Sequence, residues 1–163
     1  MAEQEIILGI DPGSRITGYG IIRKSDLLEP LDFGCIRPPV TMKFTDKCHT
    51  IYQGIDALIE KHRPQTLVVE TQFIKLNVQT AFNIVVLRGF ILACAKNRGL
   101  KVYEYAPTKI KVAVTGQGHA KKHQVQAMIQ NQLNLPELPT PEDAADALAC
   151  CICHAHQYTY EEV

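Results

Sequence analysis

Residues 5–11 read Glu-Ile-Ile-Leu-Gly-Ile-Asp, a short apolar run halted by Asp11-Pro12-Gly13. Such a run, closed by turn-forming residues, is a strand followed by a turn, and a strand needs neighbours in a sheet. The next two segments supply them. Thr17–Arg23 and Leu31–Ile36 carry β-branched and aromatic residues with turn formers between them. The three together predict an antiparallel meander.

After the meander the pattern changes. From Phe44 to His62 the apolar residues Ile51, Ile55, Leu58 and Ile59 recur at helical spacing, and Arg63-Pro64 ends the run. Thr66–Thr71 is a continuous apolar strand that stops at Glu70, and Val78–Asn97 reads as a long, mostly apolar helix closed by Arg98-Gly99. Lys101–Tyr105 is a fifth strand, short helices are expected near Lys109–Val114 and Lys121–Leu133, and a last helix begins near Asp143. Strands alternating with helices in this order predict an α/β fold: a five-stranded mixed sheet, meander first and parallel crossovers second, flanked by helices. At 163 residues and 46% apolar composition, with no linker or repeat, residues 1–163 are expected to form a single domain with a substantial core.

Four acids fall where a sheet would not choose to put them. Asp11 ends the first strand, Glu70 ends the fourth, and Asp143 and Asp146 lie three apart on one face of the last helix. If strands one and four are parallel neighbours, Asp11 and Glu70 share the carboxyl edge of the sheet, the usual ligand-binding edge. Four converging carboxylates repel unless cations lie between them, and hard divalent ions suit an all-oxygen set. Each acid also has a plainer reading. Asp11 could be a turn former, Asp143 an N-cap, and Asp146 a partner of the helix dipole. Glu70 is harder to dismiss, because a carboxylate at the end of a buried strand is costly unless paired or coordinated.

The formal net charge is zero, which taken alone argues against a protein that grips phosphates. The distribution argues otherwise. Residues 1–60 hold 9 acids and 6 bases, residues 61–130 hold 2 acids and 11 bases, and residues 131–163 hold 6 acids and no base. A basic middle beside acidic ends fits a phosphate-facing surface next to an acidic, metal-binding site.

At this point a family resemblance becomes specific. Ile7-Leu8-Gly9-Ile10-Asp11-Pro12-Gly13-Ser14-Arg15-Ile16-Thr17-Gly18-Tyr19-Gly20 resembles the N-terminal signature of the RuvC-type Holliday-junction resolvases. Asp143-Ala144-Ala145-Asp146-Ala147-Leu148-Ala149 resembles their C-terminal one, and Val69-Glu70, Phe73 and Lys121-Lys122-His123-Gln124-Val125 fall between them in the corresponding order. The resemblance implies an RNase H-like fold, a homodimer, and endonuclease activity on four-way DNA junctions. It implies two Mg²⁺ per active site, with Mn²⁺ able to substitute, held by Asp11, Glu70, Asp143 and Asp146. It places Lys111 and Lys122 near the scissile phosphate and Phe73 against junction bases, and it names a RuvA/RuvB branch-migration complex as the candidate partner. Departures from the family pattern fall at Ile84-Val85-Val86-Leu87, at Thr71-Gln72 and at Lys121.

Two other activities compete. Asp11-Pro12-Gly13 with Gly18 and Gly20 also resembles the first phosphate loop of the actin and sugar-kinase superfamily, although such an ATPase needs a second domain for which 163 residues leave no room. A non-catalytic DNA-binding relative is the other, and the four intact acids oppose it. Cys150, Cys151, Cys153, His154 and His156 form a cluster that invites a zinc reading, but one CxxC on an Ala-rich helix is better read as buried thiols. The acidic N-terminus resembles no secretory leader, and Asn83 and Arg88 interrupt the longest apolar window short of the ~18 residues of a membrane span. A cytoplasmic protein without membrane contact is expected.

Overall fold

The structure, a computed structural model, describes residues 3–71, 77–157 and 162–163. In chain order the elements are β1 (Glu5–Asp11), β2 (Thr17–Lys24), β3 (Leu28–Ile36), α1 (Phe44–His62), β4 (Thr66–Glu70), α2 (Val78–Asn97), β5 (Lys101–Tyr105), α3 (Pro107–Thr115), α4 (Lys122–Gln132) and α5 (Glu142–Ala155). The strands lie in the order β3-β2-β1-β4-β5. β1, β2 and β3 pair antiparallel, and β4 and β5 extend the sheet in parallel from β1. This is the mixed sheet that the alternation of patterns predicts.

Three boundaries differ for a local reason, and the others agree to within one residue. β3 begins at Leu28 rather than Leu31, because a register shift between Ile21 and Ile22 seats Pro30 opposite Ile22 on an outer strand. Proline lacks a donor and is tolerated at edges and bulges, so here it is not the turn that it resembles in sequence. α3 starts at Pro107, two residues before Lys109, since proline suits the first helical turn. α5 starts at Glu142 with Pro141 as its cap residue, so Asp143 is inside the helix and is not the N-cap.

Alternation along the strands divides the core. Leu8, Ile10, Leu67, Val69 and Val102 face α1 and α2, whereas Ile7, Val68 and Tyr103 face α3, α4 and α5. On the second face α5 lies directly against β1 and β2. A Cβ at Gly9 would overlap the carbonyl of Ala147, and one at Gly18 would overlap the carbonyl of Asp143. With alanines at 144, 145, 147 and 149 on the helix side, small residues meet from both directions and the backbones approach closely. Cys151, fully buried, donates its S–H to the carbonyl of Gly20 at 3.3 Å.

The opposite face is finished differently. Of the 20 residues of α2 only Leu87, Ile91, Cys94 and Ala95 are buried. Val78, Phe82 and Val85 are 85%, 65% and 55% exposed. They align at i, i+4 and i+7, and Gly89 and Ala93 continue the stripe, also exposed. By length and composition this helix could cross a membrane, contrary to the expectation that Asn83 and Arg88 interrupt it. Arg88 is instead ion-paired with Glu104 of β5, and α2 packs one side onto α1 and β5.

Candidate active site

The pairing of β1 with β4 runs from Ile7 opposite Thr66 to Ile10 opposite Val69. The next residues, Asp11 and Glu70, therefore end their strands side by side at the carboxyl edge. Ile10 and Val69 face α1 and α2, so period-2 alternation turns Asp11 and Glu70 toward α5. Across the sheet Asp11 pairs with Gly18, and above Gly18 lies the backbone of Asp143. One turn further along α5 stands Asp146. Glycine at 18 thus sets the height at which the first turn of α5 meets the edge of the sheet.

The electrostatics follow from that crowding. The Asp11 carboxyl is pushed up to about 8, first by burial and then by the charges of Asp146, Asp143 and Glu70, with Lys122 opposing the shift. Glu70 is raised by burial and by Asp146, against the pull of Lys111 and Lys122. Asp146 is raised by burial, with Lys122 lowering it and Asp143 and Glu142 raising it. These acids from β1, β4 and α5 share one field, as their positions in the sequence predict. Among the described residues no three His, Cys, Asp or Glu side chains gather tightly enough to enclose one ion as they stand. The donor set is nevertheless that of a hard divalent cation: carboxylate oxygens only, partly buried, and electrostatically unsatisfied.

Two cations border the acids. Lys122, the first residue of α4, places its ammonium 2.8 Å from Glu142 and 3.9 Å from Asp146. The turn that carries it is closed by the Lys121 N–H donating to Oε1 of Gln124 at 2.7 Å. Lys111, from α3, lines a cavity of about 250 Å³ together with Glu70, Lys122, Gln126 and Asp146. Phe73 lies outside the described residues. The sequence reading missed Glu142, whose partner Lys122 is twenty positions away and gives no local signal.

The Cys and His cluster takes no part. Cys150, Cys151 and Cys153 are buried, and burial pushes all three thiols up. His154 is buried with Nδ1 2.7 Å from the Tyr105 hydroxyl and Nε2 3.4 Å from Glu5, and His156 meets Gln132 at 2.9 Å.

A mixed sheet of this order, with acids at the ends of its central parallel strands and on the helix laid across them, defines an RNase H-like nuclease domain. The chain belongs to the RuvC family: the profile of crossover junction endodeoxyribonuclease RuvC matches residues 7–154. It is 53% identical over 156 residues to the crossover junction endodeoxyribonuclease RuvC of Protochlamydia amoebophila (strain UWE25), covering 95% of this chain and 93% of that one. Among solved structures it is similar to RuvC of Thermus thermophilus, with a TM-score of 0.84 at 30% identity over 92% of this chain and 93% of the other. The T. thermophilus RuvC in complex with a Holliday junction substrate gives a TM-score of 0.88 at 29% identity, covering 93% of each chain.

Proposed function

We propose that this chain resolves four-way DNA junctions as a divalent-metal-dependent endonuclease, cutting two symmetry-related strands. The observation that carries the reading is the convergence of four carboxylates at one sheet edge, where burial first and the charges of Asp146, Asp143 and Glu70 second push Asp11 up to about 8. Asp11, Glu70, Asp143 and Asp146 would hold two Mg²⁺ ions, or Mn²⁺ in their place. Bound there, such ions supply Lewis acidity at the phosphate and acidify a water for in-line attack. The protein's own share is positional. Asp11, on the central strand, keeps its proton near neutral pH until a cation replaces it. Lys122 and Lys111 border the cavity beside Glu70 and Asp146, where they attract the DNA backbone and offset charge that develops on the phosphate. Phe73 follows Glu70 by three residues and is assigned to stacking on junction bases, a contact worth roughly 1–3 kcal/mol per base.

A junction has twofold symmetry, and a homodimer presents two sites with that relation. The exposed stripe of Val78, Phe82 and Val85 is the surface assigned to the second copy. A cytoplasmic location and a RuvA/RuvB branch-migration complex as partner belong to the same proposal. The test is incubation of the protein and of D146N with a synthetic four-way junction and with linear duplex, with and without Mg²⁺. Paired symmetric nicks are expected only in the junction, only with Mg²⁺, and not with D146N, which should still bind the junction. Full cleavage by D146N overturns the assignment.

A further inference from the structure

We propose that Glu142 is a positioning residue for Lys122, holding its ammonium at the mouth of the carboxylate cluster while the other acids are occupied by cations. The inference rests on the nuclease reading above and adds a residue to it. Lys122 is the first residue of α4, where the helix dipole disfavours a cation, so the position itself does not hold it. Glu142 is the first residue of α5, where a carboxylate is favoured. The two helix starts face each other with Nζ and Oε2 2.8 Å apart. The other acids acting on Lys122 are Asp146, at 3.9 Å, Asp11 and Glu70. All three belong to the proposed metal-binding set. Once cations engage them their pull on Lys122 is cancelled, and among the described residues Glu142 is the acid left to anchor it. A lysine side chain has four rotatable bonds, and without an anchor its ammonium spends much of its time away from the phosphate.

The pair is exposed, 53% at Lys122 and 58% at Glu142, so it adds little to stability and can be removed without disturbing the fold. That makes a double-mutant cycle clean. E142Q, K122M and the double variant are compared by single-turnover cleavage of a synthetic four-way junction in Mg²⁺ and by junction affinity in Ca²⁺. E142Q is expected to slow cleavage about fivefold, and to slow it no further when K122M is already present. Its junction affinity should be unchanged or up to about twofold tighter, because a negative charge has left a phosphate-facing rim. Equal losses from E142Q in both backgrounds overturn the proposal, as does faster cleavage, unchanged cleavage, or a loss of affinity that accounts for the loss of rate. If the unsubstituted protein does not cut the junction, the nuclease reading itself has failed; if it cuts and the cycle is additive, only the role of Glu142 has.

Discussion

α2 and α5, which lie on opposite faces of the sheet, are built to opposite specifications. α5 is buried at eleven of its fourteen residues, seated on glycines and lined with alanines, and it carries two acids of the site. α2 is longer and no less apolar, yet four of its twenty residues are buried and its outer stripe faces solvent. Composition does not separate them. What does is where precision is needed: a helix that must bring carboxylates to a strand end is locked by backbone contact, whereas the helix proposed as the surface for a second copy is left unfinished within one chain.

The largest expected effect breaks the comparison on the α2 side. V85E places a charge in the exposed stripe, where it costs the monomer little but has no partner in a covered interface. It should weaken self-association at least about 30-fold by sedimentation velocity while leaving the monomer folded. An unaltered dimer would mean that the stripe is not the interface. The second prediction sets the same substitution in both regions. G18A forces the Asp143 backbone away from the sheet, and the half-saturating Mg²⁺ for cleavage should rise about tenfold. G89A meets nothing within 4 Å and replaces a helical glycine, so in the dissociated V85E background it should stabilise by up to about 1 kcal/mol in a denaturant titration. Equal metal dependence of G18A and the unsubstituted chain would remove the locking role given to α5.

The smallest effect concerns pH. Between the ordinary value of 3.8 and the value of about 8 in the folded state, folded Asp11 holds a proton that the unfolded chain has released. Its contribution to stability therefore falls as pH rises through that window and is flat above it. Glu70 and Asp146 shift in the same direction. In EDTA, thermal scans should show D11N gaining at least about 2–4 °C on the unsubstituted protein between pH 5 and pH 8, the shift that ~1 kcal/mol produces in a chain of this size, and Mg²⁺ should close part of that gap. A gap that narrows with rising pH would contradict the electrostatic account of the site.

Much of this was legible from residues alone. β1 and β4 announce themselves as apolar runs that end in an acid, and Asp11 and Glu70 could be joined on the condition that the two strands are parallel neighbours, which the sheet order meets. Asp143 and Asp146 followed from helical spacing. Pro30 concealed the start of β3 because its tolerance depends on lying at an edge, which only the assembled sheet reveals. The exposure of α2 was hidden as well, since a helix apolar around much of its circumference reads alike whether it is buried or waiting for a partner. Glu142 and Lys122 meet through the packing of α4 beside α5, and no periodicity spans the twenty residues between them.

Asp11 sits on the central strand of the sheet, and its companions come from the fourth strand and from the last helix. During synthesis the chain emerges from its N-terminus, so Asp11, Glu70 and the bases of α3 and α4 are made before the acids at 143 and 146 are. A chain stopped before α5 lacks Asp143 and Asp146 and also the helix on which α3 and α4 pack, so neither the acid cluster nor the basic rim beside it is assembled until α5 has settled onto Gly9 and Gly18. The acid cluster is therefore the last feature of the domain to be completed, and it is completed in the same step as the core of that face.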